Sequence, residues 1–277
     1  MSSFETSVTG HLRKLVSQPA AQVDYWLPLG DERVYLNDYL GKPISLTFSG
    51  DINCIACGRR TNKSFAQGHC YPCFTGKAAC DMCILKPELC HYDAGTCREP
   101  QWGEDFCFQP HIIYLANTTG AKIGITRKTQ LPTRWIDQGA VAALPIFEVS
   151  TRHISGQIEV VLAEFIADKS RWQQLLKAVP EPVDLLALRD QAMEWSASAV
   201  AEIRAREGDD SVIELSVQPA QFEFPVVEYP VKIKSFNFDK VPGVEGKLQG
   251  IKGQYLLLDT GVINIRKFGG YRVQFDG

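Results

Sequence analysis

The chain has 277 residues, 45% hydrophobic and 22% charged, which supplies one large core or two to three small ones and excludes disorder over the whole length. No apolar run approaches the ~20 residues of a membrane-spanning helix, because the longest, residues 140–147, contains Pro145 and stops at Glu148. The net charge of −3 selects no partner, but it is segregated: residues 54–134 carry ten Lys or Arg against six Asp or Glu, residues 230–277 eight against four, and residues 157–210 six against eleven.

The first twenty residues show no continuous apolar stretch ending at a small-residue cleavage site, so a cytoplasmic location without membrane attachment is expected. Leu12, Leu15 and Val16, at helical spacing before Pro19, predict a short helix or a loose arm. Residues 23–48 alternate aromatic and β-branched residues between breakers and predict two or three antiparallel strands. All nine cysteines follow, between Cys54 and Cys107.

After Pro110, HIIYLANTTGAKIGIT predicts a hairpin turning at residues 117–120. A short helix follows, with Thr129 as cap, Pro132 in its first turn and Gly139 ending it, and then a strand over 143–149. Residues 157–179 predict a helix broken near Asp168, with Ile158, Val161, Leu162 and Phe165 on one face, and residues 183–207 predict another. The glycine-punctuated remainder predicts a small antiparallel barrel or sandwich. Both ends are strand-rich and neither is long enough for a comfortable closed barrel, so the N-terminal strands are expected to join the C-terminal ones.

The thiols carry the strongest chemical signal. An odd number of cysteines in CxxC pairs without a visible leader fits metal binding better than a disulfide framework. Cys54-x2-Cys57 and Cys70-x2-Cys73 are two knuckles whose turns aim four sulfurs at one ion, about 2.3 Å from each. A four-thiolate zinc site leaves no open position and is structural. In the second group Cys80 and Cys83 share a metal, with two further ligands drawn from Cys90, His91, Cys97, Cys107 and His111; Cys90 and Cys97 are chosen. Zinc is favoured there, with an iron–sulfur cluster as the alternative.

Ile112-Ile113-Tyr114, the hairpin turn, Lys122-Ile123-Gly124, Arg134 in the next helix and Glu159 in a later one resemble the GIY-YIG endonuclease superfamily, in its branch whose second motif reads KIG. The match spans residues 111–180, and the flanking ribbon points to a bacterial family that adds metal and β modules to this core. Ile112 stands at the glycine of the first motif, Lys122 at the tyrosine of the second, and Gln138 where many members have a histidine. The resemblance implies phosphodiester hydrolysis with Tyr114, Lys122, Arg134 and Glu159 as site residues: Tyr114 as base or relay, Arg134 on the phosphate, and Glu159 holding Mg²⁺ or Mn²⁺.

In the C-terminal part, Lys232, Lys234, Phe236, Phe238 and Lys240 would share one strand face, a pattern used to neutralise phosphates and stack bases. Arg266 and Lys267 are further phosphate candidates. The alternative buries the phenylalanines in the core. The expected class is therefore α+β: an N-terminal β segment (1–50), a Cys-rich metal-binding region (51–110), a GIY-YIG-like α/β core (111–208) and a C-terminal antiparallel β module (211–277). The expected partner is DNA or RNA. The alternative functions are a non-catalytic zinc-containing binding or regulatory module and a metal-stabilised scaffold.

Overall fold

The computed structural model describes residues 5–277. Strands β1 (Ser7–His11), β2 (Val16–Gln18), β3 (Asp24–Leu29), β4 (Glu32–Tyr35) and β5 (Pro43–Ile52) lead into the Cys-rich segment, which holds α1 (Tyr71–Gly76) and α2 (Pro100–Phe106). The centre comprises β6 (His111–Asn117), β7 (Ala121–Arg127), α3 (Thr133–Asp137), β8 (Ala142–Val149), α4 (Arg152–Leu162), α5 (Trp172–Leu175) and α6 (Leu185–Glu207). Then come β9 (Val212–Glu214), β10 (Ala220–Gln221), β11 (Gly243–Lys252), β12 (Tyr255–Leu258), β13 (Gly261–Asn264) and β14 (Tyr271–Asp276).

Strands from both ends of the chain share one six-stranded sheet, β1-β14-β5-β11-β12-β13. A second sheet, β10-β8-β6-β7 with β9 also on β8, forms the centre, and β2-β3-β4 make a third. All of these pairings are antiparallel, so the chain is a mixed α and β protein with the Cys-rich segment inserted between two sheets.

The N-terminal helix is absent. Leu12 and Leu15 are fully buried in the core under the first sheet, and their three-residue spacing comes from a chain bend between β1 and β2 that turns both inward. Long-range partners hold this bend: Leu12 N donates to Tyr271 O at 2.8 Å, and Leu15 N to Gln254 Oε1 at 2.8 Å. Tertiary pairing overrides a local pattern too short to nucleate a helix. The strand expected over 230–240 is also absent. That stretch is irregular, with Phe238 in the core, Phe236 half-buried against it, and Lys232 and Lys234 exposed.

The central sheet buries both faces. Ile113, Leu115, Leu144 and Ile146 pack against Ile154, Ile158 and Leu162 of α4 and Ala192, Val200 and Ile203 of α6. On the other face, Ile112, Tyr114 and Ala116 meet Trp135 of α3. Ile136 of the same short helix enters the core of the first sheet. Asp137 fixes α3 from outside, accepting from Lys14 Nζ at 2.7 Å and from Gln254 Nε2 at 2.8 Å.

Helix α4 starts earlier than its hydrophobic pattern suggests. Thr151 Oγ1 accepts from Ile154 N at 3.2 Å as its cap, and the chain leaves the helix after Leu162. Its first turn is joined to the Cys-rich segment: Arg152 N donates to Cys107 O at 2.8 Å, and Arg152 Nη2 to Ile84 O at 2.6 Å. Gly156 allows this approach, since a Cβ there would lie 2.6 Å from Pro87 Cβ and from Glu88 N. Alanine favours helices by about 1 kcal/mol over glycine, yet overpacking against backbone costs about 1–3 kcal/mol. Gly156→Ala should therefore lower the thermal midpoint; an unchanged or raised midpoint would contradict this packing.

Candidate functional site

Two sets of chemically capable side chains flank α4. The first lies in the Cys-rich segment. Cys54 follows β5 directly, and a tight turn closes on it: Gly58 N donates to Cys54 O at 2.9 Å, and Asn53 Nδ2 to Gly58 O at 2.9 Å. This turn carries Cys57, while Cys70 precedes α1 and Cys73 lies within it. The four sulfurs all lie within 4.8 Å of one another, and Cys57 and Cys70 are 3.8 Å apart.

A tetrahedral zinc ion at about 2.3 Å from each sulfur requires a spacing of roughly 3.8 Å. The donor set fits, and the cluster could hold a metal such as zinc. Burial alone would push the Cys54 thiol up, but backbone N–H groups of Cys70, Cys57 and Ala56 hold it down at about 6. Burial and the three neighbouring sulfurs push Cys73 up to about 12. Such mutual opposition is what a bound cation relieves.

The remaining predicted ligands do not gather as expected. Cys83, Cys90 and Cys97 line one cavity together with Cys107, and Cys80 is not among its lining residues. Cys80 instead feels Arg98, Cys54 and Glu99. Asp81, Cys83 and His91 come within 4.8 Å of one another. The Asp81 carboxylate is already engaged, accepting from Arg98 Nε at 2.7 Å and Met82 N at 2.6 Å, and the guanidinium would repel a further cation. His111 joins neither set; its Nδ1–H donates to Gln109 O at 2.7 Å, and burial holds the ring down at about 4.

The second set surrounds Tyr114. A register shift in the β6–β8 pairing falls beside it, where Pro145 stands opposite, and such bulges re-aim side chains. Across the other ladder its partner is Gly124, where a Cβ would lie 2.7 Å from the tyrosine oxygen; this explains the glycine of the KIG triplet. Tyr114 is fully buried, and burial pushes its hydroxyl up, opposed by Arg134. With its amide oxygen toward Arg134, Gln138 donates to the Tyr114 hydroxyl at 2.8 Å and accepts from Arg134 Nε and Nη2 at 3.1 and 3.0 Å. Gln138 thus links tyrosine and arginine. Its position one helical turn after Arg134 was the available signal.

Lys122 faces the same side and is nearly buried. Burial first, and then Arg134, hold its ammonium down at about 8, against the pull of Glu159 and Asp168. Burial raises the Glu159 carboxyl, opposed by Lys122 and Arg152. Among the described residues no Lys, Arg or His nitrogen lies within 4.0 Å of the Glu159 carboxylate, nor any carboxylate within 4.0 Å of the Arg134 or Arg266 guanidinium. Burial and the nearby Arg134 hold Arg266 below its ordinary value.

Arg266 also lines a cleft of about 560 Å³ with Arg13, Lys14 and His69. Sequence reasoning missed Arg13 and Lys14, because only the sheet shared by the chain ends brings them there. Of the other predicted nucleic-acid contacts, Lys234 Nζ lies 5.3 Å from the Phe236 ring and Lys267 Nζ 5.2 Å from the Phe268 ring. Lys232, Lys234 and Lys267 are exposed.

Antiparallel sheets packed with helices, a four-cysteine knuckle that could hold a metal and a hairpin-based central unit define a mixed α and β protein. The family model described as "Protein of unknown function (DUF2797)" matches residues 41–273, and the chain belongs to that family. No curated protein and no solved structure matches the chain.

Cys54→Ser should remove one equivalent of bound metal and expose the segment to protease; elemental analysis that finds the full metal content in a folded variant would contradict the four-thiolate site.

Proposed function

We propose that this is a metal-stapled nucleic-acid-binding protein whose β6–α4 unit is a GIY-YIG-like phosphodiesterase. The observation that carries the reading is the pair of guanidiniums that no carboxylate neutralises, Arg134 and Arg266, beside the Tyr114–Gln138 link and the Glu159 carboxylate, which pairs with no basic side chain. Strand, turn, strand, helix with arginine, strand and helix with glutamate occur in the order the resemblance implies. Zinc in the first four-cysteine cluster is the structural element of this reading. Nine free thiols suit a reducing compartment such as the cytoplasm.

In this mechanism Arg134, oriented by Gln138, offers its planar fork to the phosphate and neutralises charge that builds up at transfer. Arg266, Arg13 and Lys14 hold neighbouring phosphates along the cleft. Glu159 would hold Mg²⁺ or Mn²⁺, and such an ion would supply stabilisation of charge on the leaving oxygen. Lys122 adds positive charge below pH 8. The complete burial of Tyr114 favours a second reading, in which the tyrosine only positions Arg134 and the unit binds without cleaving.

End-labelled single- and double-stranded DNA and RNA, with Mg²⁺ or Mn²⁺, separate these readings. The first expects cleavage by the wild type that is lost in Glu159→Ala with affinity retained. The second expects no cleavage but binding that weakens as salt rises; neither cleavage nor binding overturns both. Because burial places the Lys122 ammonium near 8, affinity should fall as pH rises through about 8, and Lys122→Met should flatten that step. A step that persists in the variant would assign it to another group.

A further inference from the structure

We propose that Cys83, Cys90, Cys97 and Cys107 bind a second metal centre, an iron–sulfur cluster, and that Cys80 is not one of its ligands. This inference is independent of the nuclease reading.

The four cysteines line one cavity, walled by Tyr92, Trp102 and Phe108. The spread of its sulfurs is the informative quantity. A single zinc ion draws four sulfurs to roughly 3.8 Å of one another and leaves no space between them, as in the first site. Here Cys90, Cys97 and Cys107 do not all come within 4.8 Å of one another. Thiolates spread around a cavity suit a body larger than one ion. In an iron–sulfur cluster each thiolate binds a different iron or shares one with a single neighbour, and sulfide fills the middle. The intervals of six, six and nine residues also depart from the two- to four-residue knuckle of structural zinc sites. Trp102, Tyr92 and Phe108 would shield such a centre from water and oxidants.

A second argument comes from folding. Between Ala78 and Ile112 the ring of Pro87 is the one buried apolar side chain, yet this stretch turns through three short helical segments and α2. Without an apolar core, something else must offset its conformational entropy. The Tyr92–Phe108 edge contact at 4.7 Å and the Trp102–Phe106 stack at 4.8 Å leave both pairs partly exposed. The cavity between them is where the stabilising group would sit.

The test is metal and acid-labile sulfide content of the full chain purified without oxygen, for the wild type, Cys107→Ser and Cys80→Ser. Bound zinc at the first site reports in each case that the ribbon is intact. The wild type should carry about one zinc together with iron and sulfide in equal amounts. Cys107→Ser should lose iron and sulfide while keeping its zinc. Cys80→Ser should keep both metals. Two zinc ions and no iron in the wild type would overturn the cluster. Iron retained in Cys107→Ser, or lost in Cys80→Ser, would overturn the ligand set.

Discussion

A long segment of this chain folds without an apolar core. From Asn53 to Pro110 the only buried apolar side chains are Cys54, Cys70, Ala78 and Pro87, and two of those four are members of the four-sulfur cluster. Hydrophobic burial cannot offset the entropy of ordering so many residues here. Metal coordination can, because the free energy of binding to a site absent from the unfolded chain is folding free energy. The shape of the segment therefore rests on its thiols, and so does what it touches.

What it touches is the start of α4. Arg152 is hydrogen-bonded through its backbone to Cys107 and through its side chain to Ile84, and Gly156 lies against Pro87 and Glu88. Glu159 is the next turn of the same helix. On the opposite side, α3 is clamped between the two main cores by Trp135 and Ile136 and tied to the first sheet through Asp137. Arg134 and Glu159 are thus set by different supports, the joined chain ends and the Cys-rich segment. In the proposed phosphate site, removing either support would disturb the relation between the cation and the carboxylate.

Local patterns disclosed most of the centre. The β6–β7 hairpin, α3, β8 and α6 follow from alternation, turn residues and helical periodicity, since each is stabilised by neighbours close in sequence. The first metal set was legible for a similar reason: two residues between thiolates make a local turn. The proposed second set shares Cys83, Cys90 and Cys97 with the ligands chosen from the sequence, while Cys107 in place of Cys80 is set by irregular chain without periodicity. Leu12 and Leu15 misled by matching a helical spacing that a bend between strands also satisfies. Residues 230–240 alternate like a strand but have only one isolated bridge, Ser235 to Val262, so Phe238 turns into the core while the lysines remain outside. Gln138, first visible only as a departure from the resembled motif, gains its role from the three-dimensional contact with Tyr114 and Arg134.

The central claim is that metal, rather than burial, folds the Cys-rich segment and thereby fixes α4. Backbone amide exchange in metal-loaded and fully chelated protein tests it most directly. The account predicts that stripping the metal abolishes protection over residues 54–107 and weakens it in the first turns of α4, while the central strand β6 stays protected. Protection over 54–107 that survives complete metal removal would contradict it.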